Sequence, residues 1–100
     1  MPKIFEYFGL IFYFYSNEHE PIHVHVQHAE NESIFELIMM DGKLVEIRIR
    51  EKHGTNPLSN KDLRNALEFI EKYHKNIIDK WVKFFVMKKA VRSTNITKKI

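Results

Sequence analysis

The stretch Ser33-Ile34-Phe35-Glu36-Leu37-Ile38-Met39-Met40-Asp41-Gly42-Lys43-Leu44-Val45-Glu46-Ile47-Arg48-Ile49-Arg50 decides the fold. Asp-Gly between two apolar runs signals a two-residue hairpin, because both positions tolerate positive φ. After the turn the residues alternate. Val45, Ile47 and Ile49 fall on one side, and Glu46, Arg48 and Arg50 on the other. A period of two describes a half-buried strand with one solvated or functional face. Residues 33–40 and 43–50 are therefore read as paired antiparallel strands, with Val45, Ile47 and Ile49 turned toward a helical layer.

Working outward, residues 22–28 read as a further strand. His23, His25 and Gln27 share one face, and Val24, Val26 and His28 the other. Ala29-Glu30-Asn31-Glu32 is the expected turn between them. Residues 4–15 read as a first strand, bent at Gly9. Gly54, Asn56 and Pro57 then break the pattern, and a helical period follows. Ser59 with Asp62 three positions on resembles a capping box. Leu63, Ala66, Leu67, Ile70, Ile77, Ile78, Trp81 and Phe85 form an apolar stripe, on which His74 also falls. The expected architecture is α+β: a four-stranded antiparallel meander, then one long or two shorter C-terminal helices packed on one sheet face. A break between two helices would fall near Tyr73-His74-Lys75-Asn76. Residues 1–90 are expected to form a single domain, with residues 91–100 as a basic, frayed tail.

Composition narrows the class. One hundred residues with 44% hydrophobic and 29% charged content suit one small globular domain. Without cysteine there is neither a disulfide scaffold nor a thiolate metal site, and a reducing cytoplasm is the expected location. The apolar run at 4–15 is too short for a membrane-spanning helix, which needs roughly 20 residues, and Glu6 interrupts it. No membrane association is expected. The formal charge is +3, and residues 81–100 hold Lys83, Lys88, Lys89, Arg92, Lys98 and Lys99 without a single carboxylate side chain. That end suits RNA, a ribosome or an acidic protein, although basic residues at a helix C-terminus also suit the helix dipole.

The chemistry concentrates in Glu18-His19-Glu20-Pro21-Ile22-His23-Val24-His25. A His-x-His pair on a strand projects two imidazoles from one face. Several readings stay open. With His19, or a carboxylate such as Glu18 or Glu20, as third ligand, His23 and His25 are a candidate metal set; nitrogen and oxygen donors without thiolate suit Zn, Mn, Fe or Ni. Without metal, His23, His25 and His19 are candidate acid–base residues and Arg48 a phosphate clamp, provided Arg48 shares their face. In the third reading the chain is a non-catalytic regulatory or protein-interaction domain, the histidines only order the segment around Pro21, and Arg48 and Arg50 pair across strands with Glu32 or Glu36.

Met1-Pro2-Lys3-Ile4, then Phe8-Gly9, then the segment from His19 to His25 resemble the opening of domain-of-unknown-function family 4160. Its members typically begin Met-Pro-x-Ile, then carry an aromatic-Gly pair and Asp-His-x-Pro-Pro-His-Phe-His. Trp81 after an apolar run also fits. The chain departs from that pattern at Glu18, Ile22 and Val24, where the family usually has Asp, a second Pro and Phe. The resemblance implies a small bacterial protein encoded beside another small protein, the pair having been read as a toxin–antitoxin module with this family as toxin. It supplies no catalytic mechanism. The expected partners are an antitoxin-like protein encoded nearby, RNA or the ribosome, and a second copy of the chain.

Overall fold

The computed structural model describes residues 2–15 and 21–100. Six strands form one sheet in the order β5-β4-β3-β2-β1-β6. They are β1 (Lys3–Tyr7), β2 (Leu10–Tyr13), β3 (Ile22–His28), β4 (Asn31–Met40), β5 (Lys43–Glu51) and β6 (Thr94–Ile96). All neighbours are antiparallel except β1 and β6, which are parallel. The protein is α+β as expected, but with six strands rather than four.

Both extra strands have a local cause. The run 4–15 folds back on itself at Phe8-Gly9, where both residues have positive φ (45° and 87°), the geometry of a tight hairpin. A side chain at position 9 would press on His28, whose Nε2 lies 3.2 Å from where a Cβ would stand. The sixth strand falls in the segment expected to fray. Thr94, Asn95 and Ile96 pair with Phe5, Glu6 and Tyr7. The expected Asp41-Gly42 turn is present, again with two positive φ values.

One helix, α1 (Asn60–Trp81), covers one face and runs unbroken through Tyr73-His74-Lys75-Asn76 into a π-helical turn, Val82–Val86. Ser59 caps it by accepting the Asp62 amide at 3.1 Å. The Asp62 carboxylate does not complete the box; it accepts from His28 Nδ1 at 2.7 Å and ties β3 to the start of the helix. Ala66, Phe69, Ile70, Ile77 and Trp81 are buried against Phe5, Phe12, Phe14, Val24, Val26, Phe35 and Leu37. Phe69, absent from the apolar stripe read above, is the centre of this core, with ring centroids 4.5 Å from Phe12, 5.0 Å from Tyr7 and 5.3 Å from Phe5.

The sequence reading of β5 needs correction. A bulge between Ile38 and Met39 of β4 leaves Val45 without a partner, so Leu44 takes the place expected for Val45 on the helix side. Leu44 and Ile47 pack on the core, while Val45 and Ile49 remain 55% and 43% exposed. The edge strand carries more apolar surface than one helix covers.

Candidate functional site on the open sheet face

Register decides which side chains meet on the face away from α1. His23 stands opposite Glu36, and Glu36 opposite Arg48, which makes one row across three strands. Tyr13, His25, Ile34 and Arg50 make the neighbouring row. Gln27 and Glu32 begin a third. The condition set on Arg48 is met: it shares a face with both histidines, two strand spacings or about 10 Å of backbone from His23. His28, as parity implied, points to the helix side.

The two histidines differ in their surroundings. His23 is half-buried, and its Nδ1 donates to the Pro21 carbonyl at 2.6 Å. His25 is 2% exposed, and its Nδ1 meets Glu32 Oε2 at 3.1 Å. A carbonyl only accepts, so the proton sits on Nδ1 of His23 and Nε2 is its basic nitrogen. The carboxylate fixes the same tautomer on His25. The ring centroids of the pair are 6.2 Å apart.

Around His25 lies a polar cluster that sequence reading missed. Glu32, 4% exposed, also receives Tyr15 Oη at 3.3 Å and Lys52 Nζ at 3.2 Å. Tyr13 stacks on the His25 ring at 5.4 Å, Tyr15 packs against it at 3.7 Å, and Lys52 Nζ lies 4.8 Å over the Tyr15 ring. Burial alone would raise the Glu32 carboxyl, but hydrogen bonds from Tyr13, His25 and Lys52 outweigh it and hold it below the ordinary carboxylate range. Burial first, then the bond to Glu32, pushes the Tyr13 phenol far above the usual tyrosine range. Hydrogen bonding to Tyr15 and Glu32 holds the Lys52 ammonium above its usual value. The signals for this cluster were present: Tyr13 and Tyr15 alternate in phase, as do Arg48, Arg50 and Lys52. In the sequence Glu32 reads as a turn residue or a partner of the arginines, so its bond to His25 is not foreseen there. The turn is only Ala29-Glu30, with Ala29 at φ 55°, and Glu32 is already in β4.

The arginines are engaged. Arg48 Nε donates to Glu46 at 3.0 Å and Arg50 Nε to Glu36 at 3.2 Å, the latter a cross-strand pair of the kind expected. The bond to Glu46 raises the Arg48 guanidinium further. A hollow of about 320 Å³ lies beside the cluster, lined by Lys3, Ile11, Tyr13, Gln27, Glu32 and Lys52. A larger apolar cleft of about 590 Å³, between Ile22, Leu37 and Met39 on one side and Lys75 and Ile78 on the other, is lined by none of the histidines among the described residues. His19, expected as third ligand and acid–base residue, lies outside the described residues with Glu18 and Glu20. Among the described residues no three His, Asp or Glu side chains gather closely enough to hold a metal ion, and no helix is long and apolar enough to cross a membrane.

A helix on one side of a six-stranded sheet, with a histidine-bearing strand near its centre, defines a small α+β domain with one uncovered sheet face. The chain belongs to the family described as Domain of unknown function (DUF4160), whose model matches residues 9–82. No curated protein and no solved structure matches it.

Proposed function

We propose that the protein is the toxin-like member of a two-protein bacterial module and that it acts in the cytoplasm on RNA through His23. The observation that carries this reading is the fixed tautomer of His23. Its Nδ1 donates to Pro21, so Nε2 is the basic nitrogen, in a row with Glu36 and Arg48 on the open face. Nε2 takes the proton of a ribose 2′-hydroxyl as that oxygen attacks phosphorus, the bond from phosphorus to the 5′-oxygen breaks, and a cyclic phosphate forms. Water supplies the proton of the leaving 5′-oxygen. Arg48, moving from Glu46, meets the phosphate. His25, buried against Tyr13 and Tyr15, is a positioning residue rather than one that touches substrate.

One observation favours a second reading, a non-catalytic interaction domain. Arg48, Arg50 and Lys52 each lie against a carboxylate, as ordered strand faces commonly do. Expression in a bacterium separates the two. The catalytic reading expects growth arrest with fragmented RNA, relieved by the neighbouring protein. His23→Gln then abolishes the fragmentation and leaves thermal unfolding unchanged. Intact RNA with the wild-type chain at full expression overturns it in favour of the interaction domain.

A further inference from the structure

β5 is a nine-residue edge strand, and Val45 and Ile49 stand exposed along it. The opposite edge, β6, is three residues long. An edge that presents unpaired backbone donors and acceptors is a template for another strand, and proteins commonly blunt it with charge or a bulge. β5 carries both devices, so the question is whether its charges repel a second strand or select one.

They select a copy of themselves. We propose that β5 is the contact edge of a twofold-symmetric homodimer, in which two chains pair antiparallel about Ile47 and their sheets continue as one. For a continuous sheet the twofold axis stands perpendicular to it, and facing residues must share a face. The centre therefore falls on a residue, and the sequence distinguishes the choices. Centred on Glu46 or on Arg48, like charges meet at the axis. Centred on Ile47, Glu46 of each chain faces Arg48 of the other on the open side. On the helix side Ile47 meets its own copy, flanked by the exposed Ile49 of each chain. Ile49, which α1 leaves exposed on that side, lies along the edge this register covers. Within one chain Arg48 already bonds Glu46, so the four charges close a ring about the axis. The bulge at Val45 lies at the end of the paired stretch and leaves Glu46, Ile47 and Arg48, which face one another across the axis, in regular register.

The test is a charge swap read by molecular mass. Sedimentation velocity of the purified full chain at about 5 and 200 µM is expected to show a dimer that dissociates on dilution, with an affinity in the micromolar range. Glu46→Arg and Arg48→Glu, both on the solvated side of the edge, should each give a monomer with wild-type thermal unfolding, since like charges then face one another. Mixed in equal amounts, the two monomers should recover the dimer, because each charge of one variant meets its opposite on the other. A wild-type chain that is monomeric throughout overturns the proposal and leaves the edge to a different protein. Single variants that stay dimeric overturn it too, because the contact then lies elsewhere. So does a mixture that stays monomeric.

Discussion

At the residue scale, Glu32 is the pivot of the open face. It is an acidic side chain on a strand, nearly sealed from water, with His25, Tyr15 and Lys52 all directed at Oε2. Removing the charge of a buried, hydrogen-bonded carboxylate costs about 1–3 kcal/mol, because its donors lose their acceptor. Its folded-state acidity lies below that of the unfolded chain. The unfolded chain therefore binds the proton first as pH falls, and the contribution of Glu32 is complete above the ordinary carboxylate range and disappears below it. Urea unfolding measured from pH 7 down to pH 3 should show an acid-side loss of stability in the wild type that is smaller in Glu32→Gln. Parallel curves displaced by a constant would show that the charge of Glu32 is not what the cluster stabilises. Sequence parity placed His23 and His25 on one face, because alternation survives within a strand, but it left Arg48 as a condition that only register settles. It did not reveal that His25 is enclosed, since enclosure comes from Tyr13, Tyr15 and Glu32 on neighbouring strands, whose positions depend on register.

At the element scale, the chain shows where local signals suffice and where they stop. Asp41-Gly42 and the Ser59 cap were legible because each is settled by a few adjacent residues. The Phe8-Gly9 turn was not, since an apolar run through a tight turn looks like one strand. The bulge at Val45 was hidden too, because one extra residue resets the alternation without changing composition. β6 depended on a contact across the whole chain. Lys80, in the last turn of α1, holds it: Nζ donates to the carbonyls of Ile4 and Arg92, both at 2.7 Å, and to Thr94 Oγ1 at 3.0 Å, while lying 4.1 Å over the Phe5 ring. One ammonium thus joins helix, first strand and last strand. Burial, with Lys83 nearby, lowers its basicity, and the three oxygens are what keep a charge there tolerable. Lys80→Met retains the stem and removes the three donors. The expected cost is about 1–3 kcal/mol, with faster hydrogen exchange at the β6 amides than at those of β3 and β4. Equal exchange at β6 in both proteins would mean that backbone pairing alone holds the strand.

At the scale of the whole molecule, charge is divided between the two edges of the sheet. On the β5 side, Arg48, Arg50 and Lys52 each have a carboxylate. The C-terminal segment carries Lys88, Lys89, Arg92, Lys98 and Lys99, and among the described residues none of these makes an ion pair with a carboxylate. A polyanion therefore meets uncompensated positive charge on the C-terminal segment and neutralised charge at the β5 edge. Truncation would confuse two effects, since cutting after Ala90 removes β6 along with the charge and leaves β1 as a bare edge. Lys98→Gln with Lys99→Gln separates them, because both positions lie beyond Ile96 and leave the paired residues of β6 in place. Each cation that neutralises a phosphate of single-stranded RNA contributes about 0.7 to the slope of log affinity against log salt. The double variant should therefore bind RNA more weakly at low salt, with a slope reduced by about 0.7–1.4 and an unchanged melting temperature. A reduced affinity with the original slope would show that the tail acts through the fold of the β1–β6 edge and not through contact with phosphate.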